Sequence, residues 1–180
     1  MYGIVNKAIE ELVIQKFGQE KWEAIKERSG VDIDYFVSIE PYDDEITFLL
    51  ANAVAEEMSL TIGEVFRAFG EWWVLHTAKQ KYSGMMEAGG SNLMQFLKNL
   101  PQFHNRVMLI YPRLTPPEFS TSHIEDSSIW IHYRSKREGL QEFVFGLLSG
   151  LSALYETPAT IELVQSRDTG SDHEIYKISW

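Results

Sequence analysis

The chain has 180 residues, 16 of them Lys or Arg and 26 Asp or Glu, for a formal net charge of −10. That length suits one domain, in at most two lobes, with a sizeable core, and the acidic balance argues against binding a phosphate backbone. The one basic cluster, Arg134, Lys136 and Arg137, is too short for a nucleic-acid footprint. With no cysteine there is no disulfide framework, thiolate zinc site, iron–sulfur cluster or cysteine nucleophile, so any metal must be held by histidine or carboxylate.

In chain order, Ile4, Val5, Ala8, Ile9, Leu12 and Val13 recur at helical spacing and predict an amphipathic first helix rather than a signal peptide. A second helix carries Trp22 and Ile25 and ends near Gly30. Asp43, Asp44 and Glu45 open a third, acids at the positive end of the dipole, with Ile46, Leu49, Leu50, Ala53 and Val54 as its core face. Thr61 and Glu64 form a capping box for a fourth helix running to about Lys79. A fifth covers Ser91 to Leu100. Pro101 suits the first turn of a sixth, ending at Ile110. Tyr111–Pro117, with three prolines, is an ordered connector.

The period then changes. Glu118–His123 and Ser128–Ser135 alternate as strands. Ser135 and Glu138 read as another capping box, for a helix from Glu138 to about Glu156. Ala159–Arg167 and Asp172–Trp180 are two further strands joined through Asp168-Thr169-Gly170. The fold class expected is α+β, with a helical N-terminal lobe over residues 1–60. A C-terminal lobe over residues 61–180 combines antiparallel sheet with packed helices. The longest apolar stretch, Phe143–Tyr155, is too short and too broken by Gly and Ser to span a bilayer. A soluble, cytoplasmic protein is expected.

Two constellations carry chemistry. His104 shares a helical face with Pro101, Val107, Met108 and Tyr111. A histidine in such a stripe is either a core residue or a lone axial ligand to a haem iron, for which one imidazole in apolar surroundings suffices. Tyr133, Ser135 and Arg137 fall on one face if the strand continues through them. Two hydroxyls and a guanidinium can clamp a carboxylate, although a strand end leading to a helix also favours Ser and Arg. Asp43-Asp44-Glu45, Glu56-Glu57 and Glu125-Asp126 sit where solvated acids are usual. No phosphate loop or nucleophile elbow accompanies them, so no enzyme activity is expected.

These residues give the chain an end-to-end resemblance to haem nitric oxide/oxygen binding (H-NOX) domains, the family that includes the haem domain of the soluble guanylate cyclase β subunit. It rests on Met1–Asn6, Phe69-Gly70, Leu100 through His104, Tyr111-Pro112 through Pro117, Tyr-x-Ser-x-Arg at 133–137, and the closing hairpin. The resemblance implies haem b, ferrous protoporphyrin IX, buried between the lobes. His104 would be the iron ligand, and Tyr133, Ser135 and Arg137 would hold the propionates. Val5 and Pro117 match positions that press on the macrocycle.

In oxygen-binding members a distal tyrosine donates to the ligand; here Phe143, three residues before Gly146, takes that place. Trp73, Ile9 and Leu147 are its implied neighbours. A sensor of NO that also binds CO, but not oxygen stably, is therefore expected. It would signal by loosening the iron–His104 bond and shifting the lobes. Its effector would act in trans, a histidine kinase or cyclic-di-GMP enzyme, or would be a cyclase if the chain is cut from a longer one. No membrane or nucleic-acid partner is expected. The alternatives are an oxygen or redox sensor using Trp73 as donor, and a haem-free interaction module. Gly146 and Gly150 allow either close approach to the porphyrin or helix packing.

Overall fold

The computed structural model describes every residue except Pro112 and Leu114, which belong to the expected connector. The architecture is α+β: a run of helices precedes a four-stranded antiparallel sheet, and one further helix is inserted between its second and third strands in chain order. The chain forms two compact units, Met1–Phe69 and Gly70–Trp180. No single helix among the described residues is long and apolar enough to cross a membrane.

The first unit is built on α1 (Gly3–Phe17), α2 (Gln19–Ser29) and α3 (Asp44–Met58), which pack on one another. Helix α1 buries Ile4, Ala8, Ile9, Leu12 and Val13, the expected stripe. Helix α2 stops at Gly30, whose φ of 67° is the left-handed cap that glycine adopts without a Cβ penalty. The buried face of α3 differs from expectation: Leu49 is 40% exposed, whereas Thr47 is buried. The cause is a polar contact that apolar patterning does not reveal. Thr47 Oγ1 donates to Asn6 Oδ1 at 2.6 Å, and both side chains are buried. The capping box forms: Glu64 N donates to Thr61 Oγ1 at 3.2 Å, and Thr61 N donates to Glu64 Oε2 at 2.8 Å. It opens α4 (Ile62–Trp72).

Beyond Trp72 the helix does not run on regularly to Lys79. Residues Trp73–Ala78 are π-helical, followed by the short α5 (Lys79–Lys81) and by α6 (Ser83–Gly89), which the sequence did not announce. The two helices expected on either side of Pro101 are one, α7 (Leu93–Ile110), with the proline inside it. An interior proline removes a hydrogen bond and costs about 3 kcal/mol. Burial of Leu93, Phe96, Leu97 and Leu100 along one face offsets that cost, since a buried Leu or Phe contributes roughly 1.5–3 kcal/mol.

The sheet contains β1 (Glu118–Glu125), β2 (Ser128–Arg134), β3 (Thr160–Gln165) and β4 (Glu174–Ser179), in the order β1-β2-β4-β3. Its register sets Tyr133 opposite Phe119 on one side and Glu174 on the other. Ile129, Ile131, Tyr133, Tyr176 and Ile178 are all buried. Strand β2 ends at Arg134, so the strand alternation expected through Arg137 stops short, and Ser135 and Arg137 lie in the turn beyond. The second capping box does not form either. Ser135 Oγ accepts from Arg137 N at 3.0 Å instead, Gly139 turns the chain at a φ of 73°, and α8 starts only at Gln141, running to Leu154.

Helix α8 meets the chain around the π-helical stretch at very close range. A Cβ on Gly70 would lie 2.2 Å from Phe143 O, and one on Gly150 would lie 2.9 Å from Val74 Cβ. Glycine is needed at both points for the backbones to approach. Gly150 therefore serves close packing of α8 on this stretch.

Candidate functional site

His104 sits on α7 with no hydrogen bond to its ring among the described residues. Burial pushes its pKa down to about 4, so the imidazole is neutral at ordinary pH and its lone pair suits a metal. The ring stands edge-on to Phe119 on β1, with centroids 5.0 Å apart, and Phe119 lies 5.3 Å from Tyr133 on β2. One aromatic side chain thus bridges the two constellations that the sequence singled out.

Burial raises the phenol of Tyr133 above its ordinary value, against an opposing hydrogen bond with Ser135. Arg137 Nη1 donates to Thr115 O at 2.6 Å. The backbone of this turn is held from a direction the sequence did not suggest. Arg167, in the 3-10 turn after β3, donates to Ser135 O and Arg137 O at 2.9 Å each, and to Glu174 Oε1 at 2.7 Å.

Of the residues expected around a gas ligand, Phe143, Leu147 and Trp73 are half-buried. They belong to α8 and the π-helical stretch, which pack together. Pro117 is half-buried just ahead of β1. Val5 and Ile9 belong to the first unit, on α1, where Ile9 is buried and Val5 half-buried. Trp72 Nε1, His76 Nδ1 and Thr77 Oγ1 are buried with no hydrogen-bond partner, although Trp72 stacks on His76 at 3.6 Å. Orphaned polar atoms in, or immediately before, a π-helical stretch are a mark of functional positions. Hydrophobic periodicity could not have found them, because it assumes 3.6 residues per turn.

A second cluster also escaped the sequence reading. His132 Nδ1 lies 2.9 Å from His173 Nε2, which lies 3.1 Å from Arg134 Nη2. Arginine has only donors, so His173 Nε2 must accept and its proton sits on Nδ1, which donates to Asp172 at 2.6 Å. His132 Nδ1–H then donates to His173, and its Nε2 accepts from Ser122 Oγ at 2.7 Å. These residues are 41 positions apart, and only the β2–β4 register brings them together.

Burial, then the electrostatic influence of the neighbouring His173 and Arg134 side chains, depresses the pKa of His132 below 6.5. Above pH 6.5 neither folded nor unfolded chain carries this proton, and the network's contribution to stability is complete. As pH falls, the unfolded chain takes up the proton first, so stability is lost down through the lower folded-state pKa. Urea midpoints should therefore drop between pH 7 and pH 5, with a shallower drop in His132→Gln. An equal slope in both proteins would contradict this.

Among the described residues no group of three His, Asp or Glu side chains is arranged for a metal ion. A metal here would have to arrive with most of its ligands, as porphyrin iron does. The donor set fits that group: one neutral imidazole for iron, with phenol, hydroxyl and guanidinium for its carboxylates. Together these donors define a candidate site for a porphyrin iron and its carboxylates.

The Haem-NO-binding (HNOB) family profile matches residues 2–163, and the chain belongs to that family. An H-NOX protein from Shewanella oneidensis in the Fe(II)NO state superposes with a TM-score of 0.89 at 22% identity, over 99% of this chain and 98% of that one. The unliganded Fe(II) H-NOX protein from K. algicida gives 0.85 at 21% identity, over 99% and 96%. Among curated relatives, soluble guanylate cyclase gcy-31 of Caenorhabditis elegans is 27% identical over 180 residues, covering 99% of this chain and 26% of the cyclase. Soluble guanylate cyclase 89Db of Drosophila melanogaster is 21% identical over 93% of this chain and 25% of its own length. The chain thus spans about a quarter of these cyclases.

Proposed function

We propose that this chain is a haem-based sensor that takes nitric oxide and carbon monoxide, does not bind oxygen stably, and reports to an effector protein. The observation that carries the reading is His104: a half-buried imidazole, held neutral by desolvation, with no hydrogen bond of its own among the described residues and bridged through Phe119 to Tyr133. When bound, haem supplies an iron that coordinates a diatomic gas. With no cysteine in the chain, thioether attachment to these residues is excluded, which agrees with a non-covalently held haem b. Tyr133, Ser135 and Arg137 orient it by its carboxylates.

Phe143 sets the selectivity. A phenyl ring donates no hydrogen bond, so a dioxygen ligand that gains negative charge finds no partner there, whereas nitric oxide needs none. Were the His104 imidazole released from a bound iron, α7 beyond Pro101 would lose its tether, and the altered surface would be read by an effector: a histidine kinase, a cyclic-di-GMP enzyme or a cyclase. The net charge of −10 favours a docking partner that offers basic residues.

One observation favours an oxygen-binding reading instead. Trp72 Nε1, His76 Nδ1 or Thr77 Oγ1, buried without partners, would supply the missing donor if aimed at the ligand. A single experiment separates the readings. The reduced, haem-loaded protein should give a Soret band that shifts with NO and with CO and forms no stable oxygen complex in air. A persistent oxygen-bound spectrum would establish the rival, and a chain that takes up no haem would leave only an interaction module.

A further inference from the structure

The turn at Ser135–Arg137 lies outside the sheet, yet its two end residues must present their side chains together if they are to grip one carboxylate. Ladder hydrogen bonds cannot do this, because β2 has ended. Arg167 does it instead. Its Nη1 and Nη2 donate in parallel to the carbonyls of Ser135 and Arg137, each at 2.9 Å. Its Nε donates to Glu174 at 2.7 Å. Glu174 is only 2% exposed and stands opposite Tyr133 in the β2–β4 register. The three members of the Tyr-x-Ser-x-Arg run are therefore tied to one ion pair: Tyr133 through strand pairing with Glu174, and Ser135 and Arg137 through the fork of Arg167.

We propose that Arg167, anchored on Glu174, is the positioning residue of the carboxylate clamp, fixing the spacing of Ser135 and Arg137 so that both reach the same propionate. The inference rests on the reading of 133–137 as a propionate site. It requires arginine specifically. Three acceptors are met by three nitrogens of one planar guanidinium, and a lysine ammonium at that place keeps the charge but cannot hold two carbonyls in a fixed fork. A merely structural ion pair would support haem and an esterified haem alike, whereas a positioning residue matters only when there is a carboxylate to grip.

The test compares binding of haem and of its dimethyl ester to the full-length chain and to Arg167→Lys and Arg167→Met, with the iron-ligation spectrum and thermal midpoint recorded for each. The wild type should prefer haem over the ester by about tenfold or more, the range of a charge-assisted hydrogen bond. Arg167→Lys should keep the His104-ligated spectrum but lose most of that preference, as Arg137→Ala should. If Arg167→Met does not fold, the lysine variant carries the comparison alone. A wild type that prefers haem, with Arg167 variants that prefer it equally, would overturn the positioning role while leaving the clamp intact. A wild type with no preference would overturn the clamp reading and this inference with it.

Discussion

His104→Gly should lower haem affinity by about 100-fold or more, because it removes the only protein ligand proposed for the iron. Loss of an outer partner of a metal ligand alone costs about 10–100-fold. Free imidazole added to the variant should restore the ligation spectrum but not the covalent link between that ligand and α7. This makes the tether testable without knowing the effector. In the wild-type protein, NO should change amide hydrogen exchange along Leu93–Ile110. In His104→Gly with imidazole, the same gas should bind and leave that exchange unaltered. An identical exchange response in the two proteins would show that the helix is not driven through His104. The neutral state of the ring matters here. A histidine held protonated could not ligate, and burial keeps the His104 pKa down at about 4.

Gly70→Ala should be severely damaging, more so than the same change at Gly89 or Gly150. The added carbon would meet Phe143 O at 2.2 Å, Leu147 N at 2.7 Å and Gly146 C at 2.9 Å. All three are backbone atoms, so no rotamer relieves the clash and α8 must move. Overpacking of this kind costs about 3 kcal/mol, which in a chain of 180 residues lowers the melting midpoint by about 6–12 °C. The matched control is Gly84→Ala in α6, where an added Cβ meets nothing within 4 Å. There the better helix propensity of alanine should leave stability unchanged or raise it by up to about 1 kcal/mol. The displacement in Gly70→Ala would also carry Phe143 and Leu147 with it, so CO affinity should change in that variant and not in the control.

How far the sequence could be read depended on the range of the interactions involved. Elements governed by local rules were legible: the α1 stripe, the Gly30 cap, the Thr61–Glu64 box and the existence of the four strands follow from period, cap and turn chemistry. His104 and Tyr133-x-Ser135-x-Arg137 stood out because their residue types are unusual for their positions. What could not be read depends on contacts distant in sequence. Leu49 lost its expected place to Thr47 because Asn6, 41 residues away, bonds the threonine. Ser135 left its expected capping role for a turn tied to Arg167, 32 residues on. The π-helical stretch escaped for a different reason, since it breaks the very periodicity used to recognise helices. Pro101 misled because its local cost is real and only the apolar face of α7 outweighs it.

That proline also gives α7 a mechanical character. A ring in place of an amide hydrogen leaves one rung of the helix open, so the rod is weakest in bending at that point. His104 lies three residues past the weak rung and Ile110 nine, distances of about 4.5 and 13.5 Å along the axis. Under the proposed ligation, the imidazole would pull on the short side of a lever whose fulcrum is Pro101. A tilt of about 20° there would carry the far end of the helix through about 5 Å, roughly three times the travel at the histidine. The far end carries Leu109, which is 84% exposed, so a small displacement at the proposed iron ligand would be magnified where another protein could touch it.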